Sequence, residues 1–159
     1  MSTSFGFLSR LEFLQTWASL LVSKLNPAIA HNIEKYHAIK KVHYLSSIED
    51  IEGDYLEFVV FTGSSFSHSM RCCRSLARTN PGYSKIRFFG FDSFQGFGEL
   101  NDRDAHPFYR DNNFETDIGK VTKRCMKAAG NLKFRLVPGF FSDSLKDGPD
   151  SLGIEKARI

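Results

Sequence analysis

The sequence contains no G-x-G-x-x-G run, no C-x-x-C pair, no internal repeat and no low-complexity tract. The first absence removes the usual signature of a dinucleotide-binding turn. Cysteine is scarce: Cys72, Cys73 and Cys125 are the only three. An odd number without metal-ligand spacing excludes a disulfide framework and predicts reduced, buried or half-buried thiols in a cytoplasmic protein. Adjacent cysteines on a helix diverge, so Cys72 and Cys73 make a poor metal site. Excess charge is also lacking, with a net charge of +3 and no cationic run longer than the Lys40-Lys41 pair. Linear charge patterning therefore gives nucleic-acid binding little support. There is no long apolar run either. Arg10, Glu12 and Gln15 interrupt the hydrophobic stretch between Phe5 and Leu25, which excludes a secretory signal core or a membrane span there.

What is present suits one globular domain. The chain has 159 residues, 42% hydrophobic and 25% charged, with 16 phenylalanines to fill a core. Phe7, Leu11, Leu14, Ala18, Leu21 and Leu25 recur at helical spacing, and Asn26-Pro27 interrupts that helix. A second helix is predicted from Ile29 to about His43, and a shorter one from Ser46 to Ile51. Residues 1–52 thus form an N-terminal helical segment, expected to cap the domain or to pack against a partner, a second copy of the chain included.

The pattern changes after Gly53. Tyr55 to Phe61 is a short apolar run rich in aromatic and β-branched residues, the composition of a strand buried on both faces. Thr62-Gly63-Ser64-Ser65 is a turn, with a helix expected from Phe66 to Ala77. A second strand is predicted at Ile86 to Phe91, a helix near Asp117 to Ala129, and a third strand at Leu132 to Val137. Strand, helix, strand, helix, strand predicts an α/β fold with a parallel, Rossmann-like sheet over residues 53–159. The loop from Gly96 to Phe114 is long for a compact domain, as lids and binding loops often are.

Ligands of open α/β sheets bind beyond the carboxyl ends of the strands. The first such end carries Gly63 and Ser64 at a helix start, where free amides favour an anion. Glu57 sits in an apolar strand and needs a partner there, such as an ammonium group or backbone amides, unless it reaches water at the strand end. Gly63 is equally readable as a turn glycine. The second strand runs into Asp92-Ser93-Phe94, and a carboxylate at that tip can accept two ribose hydroxyls at once. A turn or cap is the competing role for Asp92. The third strand leads into Pro138 to Asp143, whose aromatics could wall a purine or simply fill the core.

Four segments, Tyr55 to Phe58, Thr62 to Ser65, Phe88 to Gly96 and Val137 to Leu145, together resemble the macrocin-type O-methyltransferase family. These are class I S-adenosylmethionine-dependent enzymes that often methylate sugar hydroxyls. The resemblance covers roughly Tyr55 to Ile159 and is most specific at Gly90-Phe91-Asp92-Ser93-Phe94. It implies that Glu57, Gly63 and Ser64 line the methionine end of S-adenosylmethionine. Asp92 would hold the ribose hydroxyls, with Ser93 and Phe94 flanking ribose and adenine. Ser142 and Asp143 would lie near the adenine edge, and the loop from Gly96 to Phe114 would cover cofactor and a small-molecule acceptor.

The chain departs from the family at Val59, where a glycine usually permits a tight turn beside the cofactor. Full-length relatives also place divalent-metal ligands after a fourth strand, and the chain stops about where that strand would begin. The expectation is therefore a partial domain with its C-terminal strands missing and no assignable catalytic base or metal ligand. In the family's strand order the fourth strand lies beside the first, so the first would be left as an apolar edge. Three functions remain in competition: O-methyl transfer, a non-catalytic remnant or interaction module of the same fold, and, ranked last without its glycine motif, a nicotinamide oxidoreductase. No nucleic-acid or membrane partner is expected.

Overall fold

The computed structural model describes residues 11–98, 100, 103, 106 and 113–158. Among these, the elements are α1 (Glu12–Ser23), α2 (Pro27–Ile48), β1 (Tyr55–Phe58), α3 (Ser64–Leu76), β2 (Arg87–Asp92), α4 (Ile118–Ala129), β3 (Lys133–Pro138) and α5 (Phe141–Ser144). Short 3-10 turns occupy Pro81–Lys85 and Pro149–Leu152. The three strands are parallel in the order β1-β2-β3, with Tyr55 opposite Phe88 and Phe88 opposite Phe134. This is the Rossmann-like α/β arrangement expected from the strand-helix alternation. By contact density the chain divides into two units, Met1–Ala38 and Ile39–Ile159, and α2 runs across the boundary. No helix among the described residues is long and apolar enough to cross a membrane.

Two expectations about elements are corrected. Residues 29–51 do not form two helices, because α2 continues unbroken from Pro27 to Ile48. The first strand is also shorter than the apolar run that announces it. Val59 and Phe61 have φ of 62° and 50°, so the backbone leaves extended geometry directly after Phe58. The Phe7 end of the N-terminal helical face lies outside the described residues. The rest of that helix, α1, buries none of its own residues.

The sheet is covered unequally. On one face α3 and α4 pack over Tyr55 and Phe88 through Phe66, Met70, Val121 and Cys125. Helix α4 suits this position because Val121, Cys125, Ala128 and Ala129 fall on one stripe. Its start is fixed by Asp117, whose carboxylate accepts from the Gly119 and Lys120 amides. Gly90 keeps the middle of β2 clear, since a Cβ there would stand 2.8 Å from Val60 Cγ2 and 3.0 Å from Leu136 Cδ2. The other face holds a smaller cluster of Phe89, Phe91, Val137 and Ile154.

A backbone bridge extends the sheet at one point. The Asp54 amide donates to the Lys156 carbonyl (2.7 Å) and the Arg158 amide to the Asp54 carbonyl (2.9 Å), making a parallel pair of Asp54 with Ala157. Alternation along β1 then turns the N–H and C=O groups of Leu56 and Phe58 to the same side as those of Asp54, away from β2. Below this bridge Asp54 forms a bidentate ion pair with Arg87.

All three cysteines are free and buried, as their sparsity predicted. Burial pushes the Cys73 thiol up to about 12. Its neighbour His43, 1% exposed, faces the Cys73 sulfur through Nδ1 at 3.5 Å, while its Nε2 has no hydrogen-bond partner among the described residues. Burial first, then Arg158 and His68, hold the imidazole down from 6.5 to about 4. The unfolded chain therefore takes up a proton as pH falls through 6.5, whereas native His43 stays neutral until about 4. Stability present above 6.5 is lost progressively between those values, by about 3 kcal/mol at the acid end. Urea titrations at several pH values across that window should show the decline. His43→Gln should flatten it, and an equal slope in the variant would remove His43 as its source.

Candidate functional site

A cavity of about 220 Å3 opens beyond the carboxyl ends of the strands, lined by residues that include Val59, Asp92, Ser93, Phe97, Phe140 and Phe141. A larger one, about 420 Å3, lies at the opposite ends of the strands. Its walls carry the Asp54–Arg87 pair and Arg158 stacked 4.3 Å over the Tyr83 ring, so its charges already serve the fold. Strand polarity selects the smaller cavity as the candidate site.

Asp92 stands at its floor and is 8% exposed. Its Oδ2 accepts the Phe61 amide and its Oδ1 the Phe94 amide, both at 2.7 Å. The carboxylate thus ties the turn after β1 to the turn after β2. Both of these turns use left-handed residues, Phe61 at φ 50° and Phe94 at φ 57°. The Asp92 carbonyl also accepts the Gly139 amide at 3.0 Å, which brings in the turn after β3. The cap role left open in the sequence is real, and it coexists with a place in the cavity wall. Each carboxylate oxygen keeps a second acceptor direction.

The other expected site residues separate. Ser93 lines the cavity, and its hydroxyl donates to the Gly96 carbonyl at 2.7 Å, shaping the loop entrance. Phe94 does not flank the cavity. Its left-handed backbone turns the ring inward, where it is buried in the core with Val60 and Phe66. Glu57 finds hydroxyl partners: Tyr55 donates to Oε2 at 2.6 Å and Ser65 to Oε1 at 2.7 Å. Burial and then the Glu57 charge push the Tyr55 phenol up, which keeps it a donor to that carboxylate.

Gly63 is the left-handed residue (φ 72°) that starts α3. A Cβ there would meet Val121 Cγ1 at 2.9 Å, so the contact this glycine permits is with α4. Ser64 is the first residue of α3 and is half-buried. Ser142 and Asp143 are exposed on the short α5 and do not line the cavity. Their predecessors Phe140 and Phe141 do.

Sequence reading missed the conformation of Val59. It is 63% exposed and projects into the cavity wall from a left-handed backbone, a genuine outlier for a β-branched residue. A departure from glycine was the signal available. The loop expected to cover the site is pinned at its base by an antiparallel bridge between Gln95 and Glu115, and Phe97 stacks edge-on against Phe114 at 4.7 Å. Most of the loop between them lies outside the described residues. Among the described residues no group of three or more His, Cys, Asp or Glu side chains is placed to hold a metal ion.

No family model and no curated protein matches the sequence. Among solved structures, the fold is similar to that of the calicheamicin methyltransferase CalS11. That likeness has a TM-score of 0.57 at 19% identity and covers 76% of this chain and 51% of that one. It is also similar to the O-methyltransferase NovP, with a TM-score of 0.55 at 19% identity over 74% of this chain and 49% of that one. The chain spans about half the length of these two structures. What the likeness shows is the architecture alone: a Rossmann-like three-stranded parallel sheet with flanking helices, shared with these two structures.

Proposed function

We propose that the chain is the cofactor-binding part of an S-adenosylmethionine-dependent O-methyltransferase of macrocin type, acting on a small-molecule or sugar hydroxyl. The observation that carries this reading is the cavity beyond the strand tips, with a buried carboxylate at its floor and aromatic walls. The residues fit the cofactor. The two unused acceptor directions of Asp92 suit the paired hydroxyls of a ribose, and Phe97, Phe140 and Phe141 suit the faces of a purine. When bound, S-adenosylmethionine supplies an electrophilic methyl group. The chain's own residues bind and orient it and exclude water, which is much of what such a displacement requires. No residue is assigned as a catalytic base.

One observation favours a second reading, a non-catalytic module of the same fold. Val59 places an isopropyl group in the cavity wall where the macrocin-type pattern has glycine. Calorimetric titration with S-adenosylhomocysteine separates the two, using the native chain and Val59→Gly. Saturable binding is expected, about tenfold tighter in the variant, a gain of about 1.4 kcal/mol. Relief of the left-handed strain, partly offset by glycine's greater freedom when unfolded, should also stabilise the variant by about 0.5–1 kcal/mol. If two folded proteins both fail to bind, the non-catalytic reading replaces the first.

A further inference from the structure

The charges that look dispersed along the chain are gathered in space. No Asp or Glu occurs between Glu57 and Asp92, nor between Asp117 and Asp143, and these two windows contain α3 and α4. The helices pack against each other on one face of the sheet. Arg71 and Arg74 on α3, Arg78 in the turn after it, and Lys120, Lys123, Arg124 and Lys127 on α4 are all exposed. None of them forms an ion pair with a carboxylate among the described residues, where the salt bridge present is Arg87–Asp54. Two of them are anchored across the structure. Arg74 donates to the Ala128 carbonyl at 3.0 Å, joining α3 to α4. Arg124 donates to the Thr62 carbonyl at 2.8 Å, joining α4 to the turn before α3.

We infer that this α3–α4 face is a docking surface for an acidic helical segment of a partner protein. The repeat is helical on both sides. Arg71, Arg74 and Arg78, and Lys120, Arg124 and Lys127, step by three or four residues, about 4.5 to 6 Å along each axis. Carboxylates at the same spacing on a third helix meet such stripes in register. Its α3 side holds a hollow of about 290 Å3 lined by Arg71, Arg74, Ser75 and Arg78. A second, of about 240 Å3, shares Arg74 and reaches Asn131. Hollows framed by guanidinium groups accept single carboxylate side chains with paired hydrogen bonds. Met126, exposed between Lys123 and Lys127, adds an adaptable apolar contact of the kind common at protein interfaces. Nucleic acid is the poorer match, because the one Phe, Tyr or Trp of these helices, Phe66, is fully buried and leaves no large ring to stack a base.

The test is fluorescence anisotropy with the full chain and a labelled amphipathic peptide of about 20 residues, long enough to hold a helix. It carries glutamates at three- and four-residue spacing. Comparison probes are the same peptide broken by proline, a DNA duplex, and phosphatidylserine vesicles, all at about 0.15 M salt. The variant Arg71→Glu/Arg78→Glu/Lys123→Glu/Lys127→Glu spares the two anchored arginines, and the corresponding alanine variant serves if it fails to fold. The expected result is saturable peptide binding that proline weakens at least tenfold and charge reversal weakens about a hundredfold, with circular dichroism unchanged. The proposal is overturned by no binding, by equal binding of the proline peptide or of the folded variant, or by tighter binding of the duplex or the vesicles.

Discussion

Replacing Asp92 with alanine is expected to destabilise the protein by about 3 kcal/mol, before any ligand is considered. The carboxylate accepts two short hydrogen bonds from the Phe61 and Phe94 amides, and hydrogen bonds to an ionised acceptor are among the stronger ones. Its removal leaves two amides without that acceptor and releases turns whose left-handed residues it holds in place. Asp92→Asn keeps one acceptor oxygen but sets an amide group against the other N–H, so it should fall between alanine and the native chain. Denaturant midpoints of the three proteins give the order. A midpoint for Asp92→Ala equal to the native value would show that the carboxylate does not tie the turns together. The result also governs how binding is read, because ligand loss in an unfolded alanine variant says nothing about ribose recognition. The asparagine variant, if folded, carries that comparison.

The second large effect is at Gly63. Alanine there would sit in a left-handed backbone at φ 72° with its Cβ 2.9 Å from Val121 Cγ1. The conformational cost is about 1–2 kcal/mol and the packing conflict about 1–2 kcal/mol more, so Gly63→Ala should lose about 2–4 kcal/mol. A double-mutant cycle with Val121→Ala separates the two contributions. The packing part should be recovered in the double variant, while the backbone part persists. If the effects of the two substitutions simply add, the contact with α4 is not what excludes a side chain at this position.

Much of the fold is legible in local composition. β2 announces itself through Phe88, Phe89 and Phe91, and Asp117 and Gly130 bracket α4 as cap residues do. β1 reads too long because apolar composition does not report φ, and Val59 and Phe61 adopt values their side chains disfavour. The break expected near His43 to Ser46 is absent. His43 and Ser46 are both buried within α2, so tertiary packing there outweighs weak helix propensity. In the candidate site, position along the strand was enough to place Asp92 at the strand tip, where it lines the cavity. Phe94 misleads because one left-handed residue redirects its ring from cleft to core. The cationic face was invisible in the linear charge pattern, since α3 and α4 lie far apart in sequence and contribute it jointly.

The bridge between Asp54 and Ala157 also has a kinetic meaning. Every pairing in this sheet joins segments remote in sequence: β1 with β2, β2 with β3, and Asp54 with Ala157, the most distant of all. Such contacts close only after the chain has given up much of its freedom, which places assembly among slow, non-local folding processes. Ala157 covers the outward groups of Asp54 alone, so β1 offers those of Leu56 and Phe58, flanked by the half-exposed Phe58 ring, to any strand nearby. Refolding yield should then depend on protein concentration, because the outward groups of Leu56 and Phe58 offer a strand edge to other copies of the chain.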